Sequence, residues 1–169
     1  MEQVAILGAG GAGKSELARR LAERTGLPVV HLDALYWRPG WTAPPEEEFR
    51  PMLDAAVAEE RWILDGNFLR DDAGDPRFAR ADTVVFLDLP RTACLRRAVW
   101  RAVRDRTRRR ADLPAGCPES LELSFLRWVW RYPAKNRPDV LRRLDALGED
   151  VAVYRLRSDA DVEGFLAGL

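Results

Sequence analysis

The chain has 169 residues, of which 47% are hydrophobic and 32% charged, which is the size and composition of one globular domain. Its 27 basic residues are balanced by 27 acidic residues, so net charge points to no particular partner. No apolar run approaches the ~20 residues of a membrane-spanning helix, and the N-terminal run is too short for a signal peptide. Cys94 and Cys117 lack disulfide or zinc spacing, which predicts a reduced, cytoplasmic protein.

The most specific motif in the sequence is a glycine-rich loop near the N-terminus. Residues 8–15 read Gly-Ala-Gly-Gly-Ala-Gly-Lys-Ser, which matches the phosphate-binding pattern G-x-x-x-x-G-K-[ST], the P-loop. The apolar run 3–7 predicts a buried strand before the loop, and Leu17 and Leu21 have helical spacing after it. A strand, a glycine loop and a helix N-terminus together present backbone N–H groups to phosphate. The predicted nucleotide-binding residues of this segment are Gly8, Gly10, Gly11, Ala12, Gly13, Lys14, Ser15 and Glu16.

Two side chains of the P-loop are predicted to act on the phosphates directly. Lys14 would place a positive charge on the β- and γ-phosphates, and the Ser15 hydroxyl would hold Mg²⁺. The chain uses arginine almost throughout, and only Lys14 and Lys135 are lysine, so composition alone does not account for the lysine in the loop. We therefore expect ATP and Mg²⁺ as cofactors.

Strands and helices are predicted to alternate beyond the P-loop. A strand at 29–32 is followed by an aromatic loop at 34–41 and a helix from 44 to about 60, in which Pro51 marks a kink or a later start. The remaining predicted elements are strands at 61–65, 83–88 and 151–156, helices at 92–106, 121–132, 138–147 and 159–169, and a loop at 107–118. This alternation predicts a three-layer α/β/α fold around a five-stranded parallel sheet.

Aspartates follow the ends of three predicted strands, at Asp33, Asp65 and Asp88. Ligands of parallel sheets bind beyond the carboxyl ends of the strands, so these carboxylates are expected near the P-loop. A single aspartate at a strand end often serves only as a turn residue. Three of them on one rim of a phosphate site favour a functional role.

Several blocks of the sequence carry a family resemblance. The chain resembles the branch of P-loop proteins that contains adenylate, shikimate and gluconate kinases, and within it looks most like the bacterial DNA topology modulation proteins, which are related to adenylate kinases. The blocks are His-Leu-Asp-Ala-Leu-Tyr-Trp-Arg-Pro-Gly-Trp at 31–41, Trp-Ile-Leu-Asp-Gly-Asn at 62–67, Ala-Asp-Thr-Val-Val-Phe-Leu-Asp at 81–88, Ala-Gly-Cys-Pro at 115–118 and Phe-Leu-Arg-Trp-Val-Trp at 125–130. The resemblance implies one P-loop kinase-like domain over residues 1–169, with an acceptor lobe near 42–60 and an arginine-rich lid near 106–118.

The same resemblance implies roles for individual residues. Asp33 takes the place of the acidic residue in the acceptor pocket, and Asp65 that of the aspartate that orients magnesium-bound water. Arg97 and Arg101 stand seven and eleven residues after Pro90, where adenylate kinases place arginines that stack on the base and reach the transferring phosphoryl group.

The segment after Asp65 departs from the adenylate kinase pattern Asp-Gly-Phe-Pro-Arg. Residues 65–70 read Asp-Gly-Asn-Phe-Leu-Arg, so the arginine comes one place later. This departure argues against a nucleoside monophosphate as the acceptor.

A dense run of arginines between Arg91 and Arg110 permits two interpretations. The arginines could form a lid that clamps phosphate and excludes water, or a basic footprint for nucleic acid. The balanced net charge and the lack of a helix-turn-helix, zinc or RNP signature favour the lid.

The sequence leaves the roles of several aromatic residues and of the single histidine open. His31 either contacts the acceptor or is a satisfied core residue, and Trp37 and Trp41 either stack on a planar substrate or pack against the lobe. Trp128 and Trp130 lie two apart on a predicted helix, so only one of them can face a given pocket.

Taken together, these patterns predict an ATP- and Mg²⁺-dependent phosphotransferase that acts on a small-molecule or nucleotide acceptor. The predicted catalytic residues are Lys14, Asp33 and Arg101, with Arg97 at the nucleotide and Ser15 and Asp65 at the metal. The alternative is an ATP-binding regulatory protein that binds DNA and affects its topology.

Overall fold

The computed structural model describes residues 1–68, 75–104, 116–117 and 122–169. Five parallel strands form one sheet in the order β2-β3-β1-β4-β5. The strands are β1 (Gln3–Gly8), β2 (Val29–His31), β3 (Trp62–Asp65), β4 (Thr83–Leu87) and β5 (Ala152–Leu156). The helices are α1 (Lys14–Thr25), α2 (Leu32–Tyr36), α3 (Glu46–Ala58), α4 (Pro76–Arg80), α5 (Arg91–Arg104), α6 (Leu123–Lys135), α7 (Arg137–Asp145) and α8 (Asp159–Ala167).

The central strands are mostly apolar because helices cover both faces of the sheet, and Asp65 in β3 and Thr83 in β4 are buried polar exceptions. Every residue of β3 and β4 is buried, which is the pattern of a parallel sheet between two helical layers. Helix α1 buries Leu17 and Leu21 against the sheet, and α7 buries Val140 and Leu144. The predicted three-layer α/β/α fold with a five-stranded parallel sheet is therefore confirmed.

Two short helices were not predicted. The loop expected at 34–41 begins instead inside α2, which starts at Leu32 and shortens β2 to residues 29–31. Helix α4 begins at Pro76 after Asp75, whose carboxylate accepts a hydrogen bond from the Arg77 amide. An aspartate N-cap followed by proline at the first helical position is a helix-start signal that the sequence analysis did not use.

The longer helices agree with the predictions apart from their ends. Helix α3 begins at Glu46, with Pro45 as its N-cap, and continues through Pro51 instead of starting after it. Helix α5 is described as far as Arg104, and the rest of the predicted arginine-rich segment lies outside the described residues. No described helix is long and apolar enough to cross a membrane.

Because all strands are parallel, their carboxyl ends lie along one edge of the sheet. That edge carries the P-loop after β1 and the residues that follow β2, β3, β4 and β5. Ligands of open parallel sheets bind at this edge, so the candidate site is there.

Candidate active site

The P-loop connects β1 to α1 with the backbone geometry that its glycines permit. Gly8, Gly11 and Gly13 have φ angles of 151°, 79° and 99°, a range that residues other than glycine rarely adopt. Gly13 is the N-cap of α1, and the Leu17 amide donates to its carbonyl at 2.9 Å. The helix N-terminus therefore faces the loop, as a phosphate site requires.

Neighbouring helices approach two loop glycines so closely that a side chain would not fit. A Cβ atom on Gly11 would lie 2.2 Å from the carbonyl oxygen of Cys94 in α5. A Cβ atom on Gly10 would lie 2.6 Å from the ring of Phe125 in α6, against which Trp128 stacks at 5.9 Å between ring centroids. The second half of the chain thus packs directly on the P-loop.

Cys94, which contacts the loop from α5, is fully buried. Burial raises the pKa of its thiol, although the positive charges of Arg97 and Lys14 act in the opposite direction. A protonated, buried thiol is a packing group and not a nucleophile.

Lys14 is bound to its own loop. Its Nζ atom donates to the carbonyl oxygen of Gly8 at 3.1 Å and to that of Ala9 at 3.4 Å. Both carbonyls belong to the segment that would surround a phosphate, so Lys14 lies beside the position that the P-loop motif predicts for it.

Asp65, the predicted metal-site carboxylate, is buried at the end of β3, with 4% of its surface exposed. Its Oδ2 atom lies 3.0 Å from Nδ1 of His31, at the end of the neighbouring strand β2. Its Oδ1 atom is buried and makes no hydrogen bond to any described residue. A buried carboxylate oxygen without a donor is costly unless a ligand satisfies it.

These residues fit the Mg²⁺ ion that the P-loop implies. Magnesium keeps several waters and takes one or two protein oxygens together with phosphate oxygens, and does not need a full protein cage. Among the described residues no cluster of three or more His, Cys, Asp or Glu side chains forms such a cage. Two oxygen ligands are candidates here: the Ser15 hydroxyl, from the motif, and the buried Asp65 oxygen that has no hydrogen-bond donor.

Asp33 lies in the first turn of α2, directly after β2, at the edge where the sequence placed it. Its carbonyl accepts from the Trp37 amide at 3.0 Å, which ends that short helix. Tyr36 of the same helix packs on Phe68, with ring centroids 4.3 Å apart, and on Phe49 of α3 at 4.9 Å. This aromatic cluster joins the predicted acceptor lobe to the end of β3.

Trp37 and Trp41 lie in the loop between α2 and α3. Trp37 packs edge-on against Tyr36 at 4.9 Å and against Trp41 at 5.6 Å between ring centroids. Both rings remain partly exposed, and Trp41 has a φ angle of 58°, which is rare for a bulky residue. The pair packs within the lobe, and its stacking on a substrate stays a prediction.

The two arginines of α5 occupy different surroundings. Arg97 donates to the carbonyl oxygen of Ala12 at 3.4 Å and pairs with Asp159, at the start of α8, at 2.5 and 2.6 Å. It therefore bridges the P-loop and the loop after β5. Arg101 lies one turn further along α5 and is half-buried.

Glu16 and Asp88 are engaged in contacts within the protein. Exposed Glu16 pairs with Arg19 at 2.7 Å. Asp88 accepts from Arg137 at 2.8 Å and from Arg155 at 2.6 and 2.8 Å, so it ties α7 to the edge strand β5. Asp88 lies at the predicted edge of the sheet, but two guanidinium groups already neutralise its charge.

The predicted lid at 106–118 lies outside the described residues except for Gly116 and Cys117. Gly116 accepts a hydrogen bond from the Gly40 amide at 2.8 Å, and the Cys117 thiol donates to the Arg38 carbonyl at 3.1 Å. Both contacts are with the loop between α2 and α3.

Three further residues of the site were not predicted from the sequence: Asn67 and Phe125, which contact the P-loop, and Arg77, which contacts Asn67. Asn67 was seen only as a departure from a family pattern, yet its amide makes two hydrogen bonds to Gly8. Arg77 is fully buried, which no local signal reveals. Phe125 and Trp128 have the i, i+3 spacing of one helix face, a signal that could have placed both of them against a neighbour.

The fold is similar to that of solved kinase structures. A sugar kinase from Janibacter sp. HTCC2649 aligns with 99% of this chain and 93% of its own, with a TM-score of 0.53 and 20% identity. A shikimate kinase from Acinetobacter baumannii, in complex with shikimate, aligns with 99% and 90%, with a TM-score of 0.56 and 19% identity. A gluconokinase from Sinorhizobium meliloti 1021 aligns with 99% and 92%, with a TM-score of 0.52 and 17% identity.

No protein-family model and no curated protein matches the chain. At identities of 20% and below, the similarity to solved structures establishes the fold. The chain has the fold of the P-loop kinases.

Proposed function

We propose that this protein is an ATP- and Mg²⁺-dependent phosphotransferase that transfers the γ-phosphoryl group to a small acceptor. The observation that carries the proposal is the P-loop itself, in which Lys14 donates to the Gly8 and Ala9 carbonyls. The buried Asp65 oxygen that lacks a donor lies at the same carboxyl edge of the sheet, at the end of the neighbouring strand β3. Phosphoryl transfer needs positioned countercharge and little covalent chemistry from the protein, and this edge of the sheet supplies both positioning and countercharge.

The predicted catalytic and metal-site residues and Arg97 each have a role in this proposal. Lys14 moves from the loop carbonyls to the β- and γ-phosphates, while Ser15 and Asp65 hold Mg²⁺, which neutralises phosphate charge when bound. Arg97, near the loop after β5, contacts the nucleotide base, and Arg101 contacts the transferring phosphoryl group. Asp33 orients the acceptor hydroxyl or takes its proton.

The acceptor side supports a small hydroxyl compound more than a nucleoside monophosphate. Asn67 and Phe68, which replace the adenylate kinase residues after Asp-Gly, bind Gly8 and the aromatic cluster. They are therefore occupied by contacts within the protein. The structural neighbours, a sugar kinase, a shikimate kinase and a gluconokinase, suggest the same class of acceptor.

Within the P-loop kinases we place the chain with the adenylate-kinase-related DNA topology modulation proteins, on the sequence blocks given above. This placement concerns relationship only. Direct DNA binding remains the alternative function, and substitution of the arginines of α5 distinguishes it from phosphoryl transfer.

An acceptor screen tests the proposed function. Purified protein is incubated with ATP, Mg²⁺ and a panel of polyols, hydroxy acids, nucleosides and nucleotides, and ADP formation is measured against reactions without acceptor. We expect at least one hydroxyl compound to stimulate ADP formation, and EDTA to abolish it. Lys14→Ala should lower the stimulated rate by at least 10²-fold without changing the far-UV circular dichroism spectrum. Undiminished turnover by this variant would contradict the assignment.

A further inference from the structure

The side chain of Asn67 extends the hydrogen-bond ladder between β1 and β3 by one step. The last backbone bond of that ladder runs from the Gly66 amide to the Ile6 carbonyl at 3.2 Å. Gly66 then turns the chain away with a φ angle of 155°. At the next position the side-chain amide of Asn67 takes the place of the backbone groups that a longer β3 would offer. Its Oδ1 accepts from the Gly8 N–H at 3.1 Å, and its Nδ2 donates to the Gly8 carbonyl at 2.7 Å.

A buried ion pair holds Asn67 in this position. Arg77 is fully buried and pairs with Asp75 through Nε at 2.9 Å and Nη2 at 2.5 Å. Two further N–H groups donate to the Gly66 carbonyl at 2.7 Å and the Asn67 carbonyl at 3.0 Å. A buried arginine with four of its five N–H groups bonded to fixed acceptors stays in one rotamer, so Arg77 fixes the backbone of Asn67 through its carbonyl group.

The Gly8 carbonyl is shared between Asn67 and Lys14. A carbonyl oxygen has two lone pairs, and here one accepts from Asn67 Nδ2 at 2.7 Å and the other from Lys14 Nζ at 3.1 Å. When Lys14 moves to a phosphate, the Gly8 carbonyl keeps its shorter hydrogen bond. Without Asn67, movement of Lys14 to a phosphate would leave the buried Gly8 carbonyl without either of these hydrogen bonds. The cost of that loss would oppose the movement of Lys14.

We propose that Asn67 is a positioning residue of the P-loop: it holds Gly8 in place and satisfies its carbonyl, so that Lys14 is released to nucleotide phosphate. The proposal rests on the proposed function, because it requires phosphate to bind at the P-loop. Asn67 follows β3 and lies outside the P-loop motif, yet it would position the P-loop. The Asp75–Arg77 ion pair in turn positions Asn67.

The test is ADP affinity, measured by isothermal titration calorimetry in the presence of Mg²⁺, which requires no knowledge of the acceptor. Asn67→Ala should raise the Kd for ADP about tenfold, the loss expected for about one neutral hydrogen bond. Asn67→Asp, almost equal in size, keeps the acceptor for the Gly8 N–H but loses the donor, and should weaken binding at least as much. The control is Asn136→Ala, because the Asn136 side chain caps neither α6 nor α7.

A double-mutant cycle with Lys14 separates positioning from general support of the fold. If Asn67 acts through release of Lys14, Asn67→Ala should change the Kd for ADP less than threefold in a Lys14→Ala background. An equal effect in both backgrounds would overturn the proposal, as would wild-type affinity in both Asn67 variants. Urea unfolding of each variant identifies loss of folded protein, and Asn67→Asp replaces Asn67→Ala if the latter unfolds.

The outcomes also distinguish this inference from the proposed function. Failure of the unmodified protein to bind ADP or ATP would overturn both. Tight nucleotide binding that is insensitive to Asn67 would overturn only the role of Asn67 and leave the phosphotransferase assignment intact.

Discussion

The Nδ1 atom of His31 lies 3.0 Å from Oδ2 of Asp65, and the two residues are directly paired in the β2–β3 register. This contact occupies one carboxylate oxygen of Asp65 and leaves the other, Oδ1, buried without a described donor. The histidine thus orients the carboxylate at the carboxyl edge of the sheet. It also explains why the only histidine of the chain is half-buried there.

The first prediction concerns the Asp65 carboxylate and Mg²⁺. Asp65→Asn removes the negative charge at almost constant volume and should raise the Mg²⁺ concentration for half-maximal ADP formation by about 10–100-fold. The measurement is a Mg²⁺ titration at saturating ATP. Asp54→Asn is the control, since Asp54 is exposed on α3 and pairs with Arg50 one turn earlier. A variant with an unchanged Mg²⁺ titration and a lower Tm would show that Asp65 serves only the β2–β3 contact.

The second prediction concerns the contact between the P-loop and α6. Gly10→Ala places a methyl group 2.6 Å from the end of the Phe125 ring and should destabilise the protein by about 1–3 kcal/mol through overpacking. Phe125→Ala removes the ring that the new methyl group would meet. It should therefore be less destabilising in the Gly10→Ala background than in the wild-type background. Urea unfolding measures both effects.

Gly11 supplies the control for this second prediction. The methyl group of Gly11→Ala would meet the Cys94 backbone oxygen at 2.2 Å, and its φ angle is 79°. Phe125→Ala should therefore give no rescue of Gly11→Ala. Equal coupling of Phe125 to both glycines would contradict the packing described above.

The third prediction concerns Asp33 as the acceptor-side carboxylate. Asp33→Asn should lower the acceptor-stimulated rate by about 10²–10⁴-fold if Asp33 takes part in proton transfer, with little change in the KM for ATP. Steady-state kinetics with each substrate varied in turn provides the measurement. Near-normal kinetics combined with a lower Tm would reduce Asp33 to a structural residue in the first turn of α2.

The fourth prediction separates a kinase from a DNA-binding protein. Arg101→Ala should reduce phosphoryl transfer by at least 10²-fold, whereas Arg96→Ala, an exposed neighbour on the same helix, should not. A DNA-binding surface would instead show duplex affinity that falls with salt, with a slope of about −0.9 in log K against log[salt] for each phosphate contact.

We expect the kinase result of this fourth prediction. The guanidinium group of Arg91 lies 3.9 Å from the ring centroid of Trp130, so it is committed to a contact within the protein. Tight, salt-sensitive duplex binding without acceptor-stimulated ADP formation would reverse the assignment.

Local patterns determined the sheet and the P-loop. Five largely apolar segments alternate with segments of helical periodicity. A central strand that is buried on both faces is apolar at most positions, so the strands could be located within one or two residues. The P-loop was equally accessible, because its glycines, Lys14 and Ser15 are adjacent in sequence and their chemistry depends on that adjacency.

Only the tertiary structure decided which distant residues meet at the site. Asn67 reaches Gly8 across 59 positions, His31 reaches Asp65 across 34, and Arg97 reaches Asp159 across 62. Such pairs depend on strand order and on where each helix crosses the sheet edge, and neither leaves a periodic signal in the chain. The sequence by itself therefore predicted the fold and the position of the proposed phosphate site. The tertiary structure decided which distant side chains contact that loop, because those contacts form between elements that are remote along the backbone.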